Sequence, residues 1–207
     1  MILSAHKLIY VHIPKTGGNS VQAALLLHSD DQKVVHPFQD GMQMFEIGGG
    51  ITPYKHASLR EYYALMGANM IPLHVVCTVR HPFDRLVSFY FSPHRWLSKI
   101  IGEGPQDPTF EEAKFIRLAK SLVPMHDFLN VEEVIHMGTT VLRFEDLDAD
   151  FAELTNKWLS SVDIKLPHLN KTATSQGLVR DVCKSVALRQ LVEPYLRKDL
   201  DAFDYEI

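Results

Sequence analysis

Six consecutive residues, Lys15, Thr16, Gly17, Gly18, Asn19 and Ser20, join an apolar β-branched run to a run of good helix formers. Their types suit one chemistry, the holding of a phosphate or sulfate. Where a strand hands over to a helix, the first free N–H groups and the positive end of the macrodipole face outward, and a lysine adds a full charge. The two glycines would let backbone approach such a guest closely. The lysine precedes the glycines, so the Walker pattern, with its lysine after them, is not met, and the dinucleotide fingerprint G-x-G-x-x-G is absent. A surface turn with a solvated lysine is the alternative reading of KTGG taken alone.

The elements that must position this turn can be read on either side of it. LIYVHI reads as a buried strand and Val21 to Leu27 as a helix, with Asn19 and Ser20 at its mouth as capping side chains. Ser29 to Lys55 is irregular, with Pro37, Pro53 and the triple glycine Gly48, Gly49 and Gly50, and long for a plain loop. Ser58 and Glu61 form a capping box ahead of LREYYALM, with Gly67 as C-cap, so His56 lies at the mouth of a helix. Met70 to Val79 reads as a central strand ending at Arg80. Pro82 opens the helix that follows, which carries Arg85 and, two turns in, Ser88. This second strand-to-helix passage repeats the first.

A helix capped by Thr109 and Glu112 runs to Val123 and is interrupted at PMHDF. Thr139 to Phe144 is a third strand, followed by a helix from Phe151 to Ser161 opened by Asp148 and Asp150. Ile164 to Thr174 is a polar loop holding Lys171 and Thr172, and helices over Asp181 to Leu191 and Pro194 to Phe203 close the chain. Three strand-then-helix units predict an α/β fold with a mostly parallel sheet, within one domain spanning residues 1–207.

Composition narrows the partners. A net charge of −4 provides no overall cationic field for nucleic acid or an anionic membrane. Any anion site must therefore be a local concentration of positive groups. Cys77 and Cys183 make neither a disulfide framework nor a metal-ligand spacing, and both read as thiols in a reducing compartment. With neither a signal-peptide pattern nor an apolar run of membrane-span length, the sequence reads as a soluble cytoplasmic protein.

Three separated motifs, HIPKTGGNS ending at Ser20, TVRHPFDRLVSFY from Thr78 to Tyr90, and LRFEDL from Leu142 to Leu147, have the order and spacing of a known family. Together they resemble the sulfotransferase superfamily that uses 3′-phosphoadenosine 5′-phosphosulfate (PAPS), in its carbohydrate-type, family 2-like branch. LPHLNKT and YLRKDLDAFDY are similar to its C-terminal pattern, so the resemblance covers most of the chain. It implies a P-loop-like three-layer fold in which Lys15, Thr16, Gly17, Gly18, Asn19 and Ser20 cradle the 5′-phosphosulfate. Arg80 and Ser88 would bind the 3′-phosphate, a role that suits a guanidinium fork with a hydroxyl. Lys171 and Thr172 would add contacts to the nucleotide.

In that picture Lys15 stabilises the leaving group and no metal is needed. Among eleven histidines, His56 resembles the one that the branch uses as general base. Glu145 and Asp146 are the alternative base pair. The acceptor would be a hydroxyl, for which the branch suggests a saccharide, with acceptor walls from Ser29 to Lys55 and Arg95 to Pro108. The family commonly has threonine where Asn19 stands and asparagine where His81 stands. Two rival readings are a nucleotide-dependent kinase, which lacks its GK[ST] here, and a donor-binding or partner-recognition protein without catalysis. In the second, loops around Trp96 and Phe110 would form an interface.

Overall fold

The computed structural model describes residues 1–34, 46–48, 52, 55–70, 73–91, 110–131, 134–135, 138–159, 164–167 and 177–207. They group into two compact units, Met1–Val79 with Met125–Leu169, and Arg80–Pro124 with Asn170–Ile207. The first unit holds the sheet. Strand β1 (Ile2–Leu3) pairs antiparallel with β2 (Leu8–Val11). Two short antiparallel pairs stand apart from the main sheet: β3 (Gln32–Val34) with β4 (Glu46–Gly48), and β6 (Asn130–Val131) with β7 (Val134–Ile135). Between them in sequence comes β5 (His74–Val79), and β8 (Thr139–Arg143) follows, giving the order β1-β2-β5-β8.

From β2 through β5 to β8 all pairing is parallel, with Tyr10 opposite Val76 and Thr78 opposite Leu142. All of β2, and β5 from Val75 onward, are buried, as strands sandwiched between layers must be. The expected α/β architecture is therefore the one observed. On one face Leu8, Tyr10, Val76 and Leu142 pack with Val21 and Leu25 of α1 (Gly18–Leu25) and with Phe151 and Leu154 of α6 (Leu147–Trp158). Asp31, buried beyond α1, accepts the Ile2 N–H at 2.8 Å and the Thr52 hydroxyl at 2.6 Å, which ties down the β1 edge.

Helix α2 (Leu59–Met66) starts with the predicted capping box, Ser58 N–H donating to Glu61 Oε2 at 2.7 Å, and ends at Gly67. Helix α5 (Met125–Leu129) also belongs to this unit.

The second unit is helical. Helices α3 (Pro82–Tyr90), α4 (Glu112–Ser121), α7 (Gly177–Lys184) and α8 (Val186–Ala202) share a core that includes Phe83, Phe115, Val182 and Val192. His81 caps α3: its Nδ1 accepts the Phe83 N–H at 3.2 Å while Nε2 donates to the Glu206 carbonyl at 2.6 Å. The histidine thus takes over a capping task open to the family's asparagine. Among the described residues no helix is long and apolar enough to cross a membrane.

Several boundaries differ from the sequence reading. Helix α1 begins at Gly18 and α6 at Leu147, so both helices absorb residues taken as caps or loop. Helix α4 starts at Glu112 after Glu111, while Thr109 lies outside the described residues. Past the break at Pro124 the chain turns helical again, in α5. At the C-terminus the break falls at Ser185, whose Oγ accepts the Leu188 N–H at 3.3 Å, and α8 runs on through Pro194. A cap at Ser185 offers orphaned N–H groups a partner, which fixes the start there rather than at the proline.

Candidate functional site

Strand β2 ends at Val11, and two left-handed residues, Lys15 (φ 67°) and Gly17 (φ 89°), then reverse the chain into α1. At Gly17 the conformation is unstrained; at Lys15 it costs on the order of 1 kcal/mol and must be held by its surroundings. Thr16, between them, is fully buried, and its hydroxyl donates back to the Ile13 carbonyl at 2.8 Å. That bond closes a ring across Pro14 and Lys15. What Thr16 can offer a ligand is therefore its backbone, since its hydroxyl proton is committed.

Asn19 and Ser20 do not cap α1. They lie inside its first turn, and the N-cap position belongs to Gly17. Among the described residues no side chain accepts a hydrogen bond at this cap. This corrects the sequence reading, and the physical reason is local: with Gly17 left-handed, the helix begins at Gly18 rather than at Val21. The consequence is an uncapped helix end beside a lysine, the arrangement an anion needs.

The glycines also have a packing reason that the sequence did not reveal. A Cβ on Gly18 would lie 2.1 Å from His12 Cδ2 and 2.3 Å from its Nε2; one on Gly17 would lie 2.8 Å from Phe144 Cδ2. The His12 ring thus lies against the first residue of α1. It is 3% exposed, and its Nδ1 lies 2.8 Å from Gln22 Oε1. Burial, with the neighbouring His56 and Lys55, holds its pKa well below the ordinary histidine value, so the ring is neutral near pH 7. A neutral ring facing an amide oxygen donates through Nδ1–H.

His56 packs edge-to-face on His12, with ring centroids 4.5 Å apart. Its Nδ1 lies 3.0 Å from the His12 carbonyl, which can only accept, so Nδ1 carries the proton and the lone pair of the neutral ring falls on Nε2. That tautomer is the one a general base acting through Nε2 requires. The capping box of α2 two residues on fixes the local backbone. One residue, His12, therefore touches both the start of α1 and the candidate base. His12 lies in the apolar strand run LIYVHI and is a core residue, but its carbonyl and ring are what the site rests on.

The remaining candidates are distributed as follows. Arg80 is half-buried directly after β5, and Ser88 is buried in α3 at 6% exposure. Of the two roles open to Arg85 from sequence, helix surface or ion pair, the structure has the ion pair: at 1% exposure it reaches Asp199 at 3.7 Å and donates to the Val123 carbonyl at 3.0 Å. Burial lowers its pKa to about 10 despite the opposing pull of Asp199. Glu145 and Asp146 are exposed in the short turn of helix before α6. Lys171, Thr172 and the Arg95 to Pro108 stretch lie outside the described residues. Among the described residues no group of histidine, cysteine or acidic side chains could hold a metal ion.

The sheet and its first turn define a class: an α/β protein whose first parallel strand hands over to an uncapped helix end beside a lysine. The chain belongs to the sulfotransferase family, whose model matches residues 1–206 and so runs through both units. The match supports sulfotransfer as the general activity. No curated protein and no solved structure matches it.

Proposed function

We propose that this protein moves a sulfonate from PAPS to a hydroxyl of an acceptor, with a saccharide as the acceptor class that the carbohydrate-type motifs favour. The observation that carries the reading is the N-terminus of α1, which has no side-chain cap among the described residues and follows a lysine held in a left-handed turn. A donor with a phosphosulfate end fits a set of backbone N–H groups and one ammonium.

The donor would supply the sulfonate on a phosphate leaving group; the chain's residues would supply charge, position and a proton acceptor. Lys15 and the first N–H groups of α1 neutralise the bridging oxygen as its bond to sulfur breaks. His56 takes the acceptor hydroxyl proton on Nε2 while the acceptor oxygen bonds to sulfur, and the His12 carbonyl holds Nδ1–H throughout. Arg80 and Ser88 are assigned to the 3′-phosphate, and Lys171 and Thr172 to further nucleotide contacts, on the strength of the motifs.

Thermal-shift titration tests the reading against a kinase. 3′-Phosphoadenosine 5′-phosphate at a hundredfold excess over Kd adds about 2.7 kcal/mol to native stability. For a chain of this size that is a rise of roughly 5–10 °C. ATP with magnesium should give none. A shift with ATP and none with the desulfated donor would overturn the proposal.

A further inference from the structure

The turn at Lys15 is held from beneath by hydroxyls. Thr16 Oγ1 lies 2.7 Å from Thr78 Oγ1, and Thr78 Oγ1 lies 2.8 Å from the Tyr10 hydroxyl. All three residues are buried, Thr16 and Thr78 completely. Each hydroxyl has one proton, which fixes the direction of the chain. Thr16 donates its proton to the Ile13 carbonyl, so toward Thr78 it can only accept. Thr78 must then donate to Thr16 and accept from Tyr10. The relay runs from Tyr10 through Thr78 and Thr16 to the Ile13 carbonyl, with every proton used.

The sheet register explains why these side chains meet. Tyr10 stands opposite Val76 in the parallel pair of β2 and β5, and Thr78 lies two residues further along β5, on the same face. That face carries Tyr10, Val76 and Leu142 against α1 and α6. Thr78 is therefore the last inward-facing position on this face of β5, directly below the turn that leads into α1. An apolar residue would fit the pattern of the strand, HVVCTV, as well. A threonine there has a hydroxyl to place.

The relay is not a proton path. Burial pushes the Tyr10 phenol far above its ordinary value, so it stays protonated throughout the working range of pH. What the relay supplies is geometry. Lys15 occupies a conformation that its own side chain disfavours, and the Thr16 hydroxyl bond to the Ile13 carbonyl closes a ring that spans it. The donation from Thr78 fills the acceptor site of that same oxygen and thereby orients its proton toward Ile13.

We propose that Thr78 is a positioning residue for donor binding: through Thr16 it holds the left-handed turn at Lys15 in the form that receives the donor's 5′ group. The inference rests on the donor role proposed above for that turn. Thr78, fully buried, presents no surface to a ligand. Its influence is on the shape of the cradle, and displacement of a binding group by about 1 Å can cost up to a hundredfold.

The test uses the full chain and 3′-phosphoadenosine 5′-phosphate as probe, with binding by calorimetry and stability by thermal unfolding on the same samples. Thr78→Val, which keeps shape and removes the hydroxyl, should weaken binding about tenfold or more when measured well below its Tm. Thr78→Ser should restore affinity to within about twofold of wild type, since it returns the donor hydroxyl. Tyr10→Phe removes only the first donor in the relay; it should lower Tm yet leave affinity within about twofold. If Thr78→Val does not fold, Thr16→Val removes the same bond together with the one to the Ile13 carbonyl and should show at least as large a loss.

A purely structural role predicts otherwise, with Tm falling in all variants and affinity unchanged. Wild-type affinity in folded Thr78→Val, or in Thr16→Val, overturns the inference while leaving the donor proposal intact. Absence of binding by the wild-type chain overturns the donor proposal and this inference with it.

Discussion

Gly18→Ala separates tertiary packing from local propensity, because the two predict opposite signs. In a helix alanine is favoured over glycine by up to about 1 kcal/mol, so propensity alone makes the substitution stabilising. The structure places the new Cβ 2.1 Å from His12 Cδ2 and 2.3 Å from Nε2. Carbon atoms rest about 3.5–4.0 Å apart, so the ring must withdraw by roughly 1.5 Å. A retreat of that size stretches the 2.8 Å contact from Nδ1 to Gln22 Oε1 beyond hydrogen-bonding range.

Overpacking costs about 1–3 kcal/mol and the broken buried bond about 1–3 kcal/mol. Net of propensity, Gly18→Ala should destabilise by roughly 1–5 kcal/mol. Thermal unfolding would then fall by on the order of 2–20 °C, with a lower urea midpoint at unchanged slope. Shrinking the partner should relieve the clash: Gly18→Ala with His12→Ala together should cost less than the two single changes summed. A Gly18→Ala protein as stable as wild type, or more so, would refute the packing described for His12 and with it the tie between α1 and His56.

His56→Ala should lower turnover by about 10²–10⁴ while leaving affinity for the desulfated nucleotide unchanged, measured by steady-state rates beside calorimetry. Arg85→Met strands Asp199 at 3% exposure and should cost about 3–5 kcal/mol in urea unfolding. Replacing Asp199 by leucine in the same chain should recover much of that, and strict additivity would contradict a buried pair. Burial pushes the Cys77 thiol up to about 12, above its ordinary value in the unfolded chain. Its stabilising share is therefore complete below about pH 8.5 and lost as pH rises toward 12, by at most about 1.4 kcal/mol per unit. Cys77→Val should flatten that alkaline limb in urea titrations, with the buried phenols of Tyr10 and Tyr62 accounting for the slope that remains.

The apolar runs LIYV and HVVCTV announced the parallel strands because strands buried on both faces have no polar alternation to hide them. Ser58 with Glu61 announced α2 because a capping box is local chemistry, closed within four residues. Asn19 misled for the converse reason. Its propensity to cap is real, but the left-handed Gly17 started the helix first, and only the tertiary fit of Gly17 against Phe144 and Gly18 against His12 requires that.

His12 and Thr78 open two of the motifs, but nothing in one dimension showed the part that either of them, or Gln22, plays. Each lies in an apolar run and acquires its part only through a neighbour from another element: His56 from the turn before α2 and Thr16 from the loop after β2. For Arg85 the sequence left a helix-surface and an ion-pair role both open, because nothing near it in sequence reveals Asp199 on α8. Residues that act through long-range partners are the ones that sequence pattern leaves out.

The central claim is that Lys15 stabilises the leaving group in sulfonate transfer. It is tested most directly by following labelled sulfonate from PAPS to a panel of hydroxyl acceptors with wild type and Lys15→Met, both verified as folded by their unfolding curves. The account predicts transfer by the wild-type chain and a loss of at least about 10²–10³ in Lys15→Met. Near-wild-type transfer by folded Lys15→Met would contradict it.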